Sequence, residues 1–286
     1  MRSRLKYLAA LTASATMVAA VYFFTAIPST AQGQATADPY GGHPNLNGIW
    51  QATTTANWDL LAHTTRPAVA QPGVYPDVPV LAAPVLALGA AFLVPPGPGV
   101  VDGNEIPYKP EAAAMKKENG EHWLDRDPEV RCYMPGIPRA TYMPYPFEIT
   151  QGTNKIQMSY EMNGASRTIH LDRVDPPPAD TWMGFSQGHW EGKTLVVDVG
   201  NFNDRTWFSR AGDFHSDALH VVERYTPTDN DHLNYEATIE DQNVFTRPWK
   251  ISMPLYRRVD KGAQLGEYLC VEFADELLYG QYSKGR

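Results

Sequence analysis

The residues best suited to chemistry lie between Gly188 and Tyr225, in the run GHWEGKTLVVDVGNFNDRTWFSRAGDFHSDALHVVERY. Within LHVVERY, strand alternation puts Leu219, Val221, Glu223 and Tyr225 on one face and His220, Val222 and Arg224 on the other. Glu223 is thus a carboxylate on the more apolar face, where desolvation raises a pKa toward the range of a general acid or base. The alternative is structural: Glu223 pairs with an arginine inside the fold.

His215, Ser216 and Asp217 precede that strand in a loop. An imidazole beside a carboxylate titrates near neutral pH, so His215 and Glu223 can serve as proton carriers with Asp217 orienting the imidazole. That trio suits a cofactor-independent lyase, hydratase, isomerase or hydrolase. In the plainer reading Ser216 and Asp217 satisfy backbone groups of a turn and His215 packs on Trp207. His189, in GHWEG, is open to the same two readings.

Other chemistries find less support. Gly184 to Gly188, GFSQG, has the spacing of Gly-x-Ser-x-Gly. The following WEGKTLVV reads as turn and strand, whereas a nucleophile elbow at Ser186 needs a helix there. His215 and His220 flank Asp217, but their odd separation points them to opposite faces of a continuous strand, and no metal-ligand motif occurs, so no metal site is predicted. No glycine-rich phosphate cradle opens a helix, so no cofactor is predicted. Arg167, Asp198, Asp204, Arg205, Glu236, Glu240 and Arg247 are strand or loop charges, none marked as catalytic.

Aromatic residues form the broader theme. Trp182, Trp190, Trp207, Tyr225, Tyr235 and Trp249 all fall in or beside predicted strands. They build a core or, where a barrel is wide enough to leave a cavity, line a site for a small apolar or aromatic molecule.

Period-two patterning identifies the elements that must position these groups. Ile156, Met158, Tyr160 and Met162 alternate with polar residues from Lys155 onward, Asn163-Gly164 signals a hairpin, and Arg167 to Arg173 forms the return strand. Further strands are predicted over 194–202, 219–226, 233–240, 249–256 and 266–273. A helix is predicted from Pro110 through EAAAMKKEN, with Gly120 just past its end. Four prolines between Pro135 and Pro146 argue that 127–149 wraps the body instead of supplying a central strand. From Trp58 to Pro110 the chain is a Pro/Gly/Ala-rich excursion or lid. A meander of short strands must close or cover its edges. The expected fold is all-β, an antiparallel up-and-down barrel with this long insertion and one short helix.

Gly48, Ile49 and Trp50 resemble the Gly-x-Trp signature on the first strand of lipocalins and related small barrels, although the long insertion departs from their compact pattern. The blocks NLNGIW, DPEVRCYMPGIPRA, WMGFSQGHWEGKTLVVDVGNFNDRTWF, HSDALHVVERY and FTRPWK resemble those of an uncharacterised family of exported bacterial proteins. That resemblance implies export and a shared fold and carries over no catalytic residue.

Arg2, Arg4 and Lys6, an apolar stretch from Leu8 to Ile27 and the small residues up to Ala31 have the layout of a signal peptide over 1–31, leaving 32–286 as one domain. An uncleaved anchor is the competing reading. The formal charge of −8, which becomes −11 once those three cations are removed, disfavours nucleic acid as a partner. No later segment is long enough and unbroken enough to span a membrane. Cys132 and Cys270 point to one disulfide between an early loop and the last strand, with two free thiols as the alternative. A periplasmic or secreted location follows. Three functions fit: a barrel binding a small apolar or aromatic ligand in its cavity, the acid–base enzyme above, or a cell-envelope protein that makes contact through its Pro-rich excursion.

Overall fold

The protein is described from a computed structural model. The described residues are 40–67, 71–72, 79–80 and 93–272; the predicted signal segment and much of the excursion lie outside them. Nine strands close into a barrel: β1 (Gly48–Ala52), β2 (Phe147–Gln151), β3 (Lys155–Tyr160), β4 (Ser166–His170), β5 (Phe185–Glu191), β6 (Thr194–Gly200), β7 (His220–Pro227), β8 (His232–Glu240) and β9 (Trp249–Arg257). Neighbours in sequence are neighbours in the wall, and β1 closes the ring by pairing with both β2 and β9.

An odd number of strands cannot alternate direction all the way round a closed ring, so one junction must be parallel. That junction is β4–β5, where Ile169 faces Ser186 and His170 faces Gln187, and every other junction is antiparallel. A parallel pair needs a crossover of about a dozen residues or more, and here residues 171–184, including Pro176 to Pro178, supply it. The Gln187 amide clamps the crossover by donating to the carbonyls of His170 and Asp172 at 2.7 and 2.9 Å.

Alternation fixes what faces inward. In β7 the buried positions are Val221, Glu223 and Tyr225; in β3 they are Ile156, Met158 and Tyr160; in β4 they are Arg167 and Ile169. The hairpin between β3 and β4 turns at Asn163 and Gly164, both with positive φ, as a type I′ turn requires. At the barrel's seam the Arg257 guanidinium lies 4.3 Å over the Trp50 ring, and the Trp50 indole donates to the Leu46 carbonyl at 2.9 Å. Gly48 (φ +131°) leaves the room this needs, since a Cβ there would sit 2.6 Å from Arg257 Nη1.

Four expectations are corrected. Phe147–Gln151 is a barrel strand: Pro146, the last proline of the wrapping segment, stands just outside it, where a missing N–H breaks no ladder. Residues 266–272 do not form a strand; they touch the barrel through an isolated bridge between Met162 and Tyr268. The Cys132–Cys270 disulfide is formed, with a Cα–Cα distance of 5.4 Å, but it joins two irregular segments. The helix α1 (Pro110–Glu121) runs through Gly120, whose missing Cβ lets Ala211 approach; a Cβ would lie 2.5 Å from the Ala211 carbonyl oxygen.

Two four-residue helices follow, α2 (Trp123–Arg126) and α3 (Arg139–Tyr142), the latter entirely buried. Arg139 donates to both oxygens of Asp127 at 2.8 and 2.9 Å and to Asn57 at 2.8 Å. Glu129 accepts from Arg210, whose guanidinium lies 4.3 Å from the Trp58 ring and 4.8 Å from Trp123. The Arg139 contacts hold the wrapping segment together and to Asn57, and Glu129–Arg210 binds it to the loop over 201–219. No helix among the described residues is long and apolar enough to cross a membrane.

Candidate functional site

Side chains from five strands converge on the Arg167–Glu223 pair, which places the cluster inside the barrel. Arg167 of β4 donates from Nη1 to Oε2 at 2.6 Å and from Nη2 to Oε1 at 3.1 Å. The Tyr225 and Tyr235 hydroxyls of β7 and β8 donate to Oε1 at 3.0 and 2.8 Å. Ser186 of β5 and Met158 of β3 accept further guanidinium contacts at 3.4 and 3.3 Å. Side-chain exposure is 2% for Arg167 and 0% for Glu223.

The physical logic is charge compensation. Burial is the largest single influence and disfavours the guanidinium, but the charge of Glu223, the neighbouring Tyr160 and Tyr225 and the hydrogen bond to Glu223 together outweigh it and hold Arg167 well above its ordinary pKa. Burial, and then the negative charge of Glu223, push Tyr225 and Tyr235 well above the usual phenol range, so both remain hydroxyl donors. Tyr160, near the same pair, is pushed up to about 12, chiefly by burial. Glu223 therefore sits at the centre of a buried ion-pair network, with both of its carboxylate oxygens accepting hydrogen bonds.

His215 belongs to a different network. Its Nδ1 lies 2.8 Å from the Ser216 carbonyl and its Nε2 2.6 Å from Thr206 Oγ1. A carbonyl only accepts, so Nδ1 carries the proton and Nε2 accepts from Thr206. Burial holds the imidazole below its usual pKa, partly opposed by the Ser216 carbonyl and by Asp241. Asp217 is exposed, and both ring nitrogens are already engaged, so it does not orient His215. The carboxylate that orders this loop is Asp241, which accepts from the Ser216 backbone N–H at 2.6 Å and its hydroxyl at 2.9 Å. The imidazole packs beside Phe208 and Phe202, not on Trp207.

The aromatic residues are dispersed. Tyr225 and Tyr235 form a tilted pair 5.0 Å apart beside Glu223. Trp249 packs edge-on against Phe208 and Phe245, Trp207 is buried, and Trp190 stacks on His43 at 4.5 Å. Trp182 lies on Tyr133 at 4.7 Å and lines a cleft of about 420 Å³.

That cleft follows from the parallel junction. The β4–β5 ladder contains only two residue pairs, and on the N-terminal side of those pairs the two strands are no longer paired. Ser166 to Thr168 form one bank and Thr181 to Ser186 the other, with Met134 at the rim. Arg167 and Ser186 thus belong both to the interior network and to the cleft. In the sequence Arg167 is one among several strand and loop charges; the signal that could have placed it inward is its sharing a strand face with the apolar Ile169, whereas the cleft had no local signal.

GFSQG gains an explanation here. Gly184 has φ +68°, and a Cβ on it would lie 2.7 Å from the Phe202 ring; a Cβ on Gly188 would lie 2.6 Å from Ile169 Cγ2. Both glycines serve close packing. Ser186 lies within β5 and a strand follows the next turn, so the helix of a nucleophile elbow is absent at this serine.

Comparison with family profiles, with curated proteins and with solved structures gives no match.

Proposed function

We propose that this chain works outside the cytoplasm as a barrel protein that binds a small apolar or aromatic molecule, taken up at the opening between β4 and β5. The observation that carries this reading is the two-pair parallel junction, which leaves a cleft walled by Trp182, Met183, Phe185 and Met134 in an otherwise continuous wall. Concave, mostly apolar sites with a few placed polar groups are the usual form of small-molecule sites. Met134, at 41% exposure, and Tyr133, at 49%, continue the apolar surface beside it. The Arg167–Glu223 pair and its tyrosine partners occupy the interior behind this opening, and the wall cleft is the place of binding favoured here. The N-terminal layout and the disulfide support export.

Calorimetric titration with 2-ethylnaphthalene tests the reading. Saturable binding at one site is expected, weakened at least about tenfold by Trp182→Ala, as for truncation of a central aromatic contact. Saturable binding that Trp182→Ala leaves unchanged, or failure of this probe and of its ketone and carboxylate analogues alike to bind, would overturn the reading.

A further inference from the structure

We infer that the ligand of the β4–β5 cleft carries a neutral carbonyl oxygen beside its ring, received by the Thr181 hydroxyl and the Arg167 Nε–H; this rests on the reading of the cleft just given. Among the described residues four buried side-chain polar atoms lack a hydrogen-bond partner: Thr141 Oγ1, Arg167 Nε, Thr181 Oγ1 and Trp249 Nε1. Two of the four belong to residues lining this one cleft. Buried polar groups are nearly always paired, and an unmet one is destabilising. Both atoms lie buried just beneath the surface of this one cleft, so a common partner for them is one that enters there.

The chemistry of the two groups selects that partner. The Nη1 and Nη2 groups of Arg167 are engaged by Glu223, Tyr225, Ser186 and Met158. Nε–H remains, and a guanidinium N–H can only donate. Thr181 has its backbone committed, with its N–H donating to the Asn201 carbonyl at 2.9 Å and its own carbonyl accepting from Asn203 at 3.0 Å. Its hydroxyl is left, and it reaches a new partner by rotation about χ1. An acceptor oxygen meets the needs of both.

Charge decides between a carbonyl and a carboxylate. The Arg167 charge is already balanced by Glu223 through two hydrogen bonds. A second carboxylate would share that guanidinium with Glu223 and meet its repulsion in a poorly solvated place, on a chain whose formal net charge is already −8. A neutral oxygen carries no such penalty. The ring system of the same molecule is then held by Trp182, Met183 and Phe185.

Titrations of 2-acetylnaphthalene, 2-ethylnaphthalene and 2-naphthoate against the full protein separate the possibilities. The ketone is expected to bind roughly tenfold more tightly than the hydrocarbon, the size of a well-made hydrogen bond to a buried group, and more tightly than the carboxylate. Thr181→Val should bring the ketone's affinity close to that of the hydrocarbon measured on the same variant, with an unchanged urea midpoint reporting that the variant is folded; Thr181→Ser, which keeps the hydroxyl, should retain the advantage. Equal binding of ketone and hydrocarbon, tightest binding of naphthoate, or an undiminished ketone preference in Thr181→Val overturns the inference while leaving the cleft intact. Failure of all three probes to bind removes the cleft reading and this inference with it.

Discussion

Arg167 and Glu223 come from strands on different parts of the barrel wall and meet inside it through two guanidinium–carboxylate hydrogen bonds of 2.6 and 3.1 Å. The pair accounts for why a carboxylate occupies the apolar face of β7. It also ties β4, one bank of the wall opening, to β7 across the interior. The arrangement positions the cleft: Arg167 holds Ser186 at 3.4 Å on the opposite bank and is itself held by Glu223 and Tyr225.

Removing one partner of such a pair leaves the other buried and uncompensated. Glu223→Leu is therefore expected to lower the unfolding free energy by roughly 3–5 kcal/mol, whereas Arg167→Met combined with Glu223→Leu should recover most of the loss. Recovery stays incomplete, because the Tyr225 and Tyr235 hydroxyls lose their shared acceptor. Urea midpoints of the wild type, the two single variants and the double variant measure this. A double variant no more stable than Glu223→Leu alone would show that the pair is not the source of the effect.

The buried imidazole of His215 makes stability depend on pH in a stated direction. Burial holds its folded pKa below the ordinary value of 6.5, so below that pH the unfolded chain takes up the proton first. Stability contributed by neutral His215 is full above pH 6.5 and is lost as pH falls below 6.5 toward the folded value. His215→Gln should be less stable than the wild type at pH 7, since it loses the fixed pairing with Thr206 and Ser216, but should show a smaller further loss between pH 7 and pH 5. Urea midpoints at the two pH values check this; parallel losses in both proteins would contradict it.

How far the fold was legible depended on whether a signal was local. Alternation identified β3, β4 and β7 through β9 because each buries one face, β6 read as a short, nearly continuous apolar run, and Asn163-Gly164 marked its hairpin because positive φ at both positions favours those residues. The strand at 147–151 was obscured by the four prolines before it. The direction of β4–β5 was not legible, since it depends on where a crossover lands and not on any residue within it. Proximity in sequence also misled at His215: Asp217 is two residues away and exposed, while Asp241, 25 residues beyond Ser216, orders the loop. The tie between Arg167 and Glu223, 56 residues apart, was available only as the general expectation of an arginine partner.

The Cys132–Cys270 bridge is expected to stabilise the fold as a covalent loop that encloses the barrel from β2 to β9. The sequence separation is 138 residues, and in the chain-entropy view a bridge across so long a loop contributes about 2–5 kcal/mol by restricting the unfolded chain. The bridge is not the only anchor for the segment that carries Cys270. Asn163 donates from Nδ2 to the Cys132 carbonyl at 3.0 Å and accepts at Oδ1 from the Cys270 N–H at 2.9 Å, while the Asn163 backbone N–H donates to the Tyr268 carbonyl at 2.8 Å. Tyr268 also stacks on Tyr145 at 4.4 Å. Replacing both cysteines by serine should therefore lower the urea midpoint but leave the amides of Tyr268 and Cys270 protected from hydrogen exchange. Adding Asn163→Ala should release that protection locally, with little additional loss of barrel stability. An unchanged midpoint without the bridge would refute its stabilising role, and protection that disappears with the cysteines alone would show that Asn163 does not hold the segment by itself.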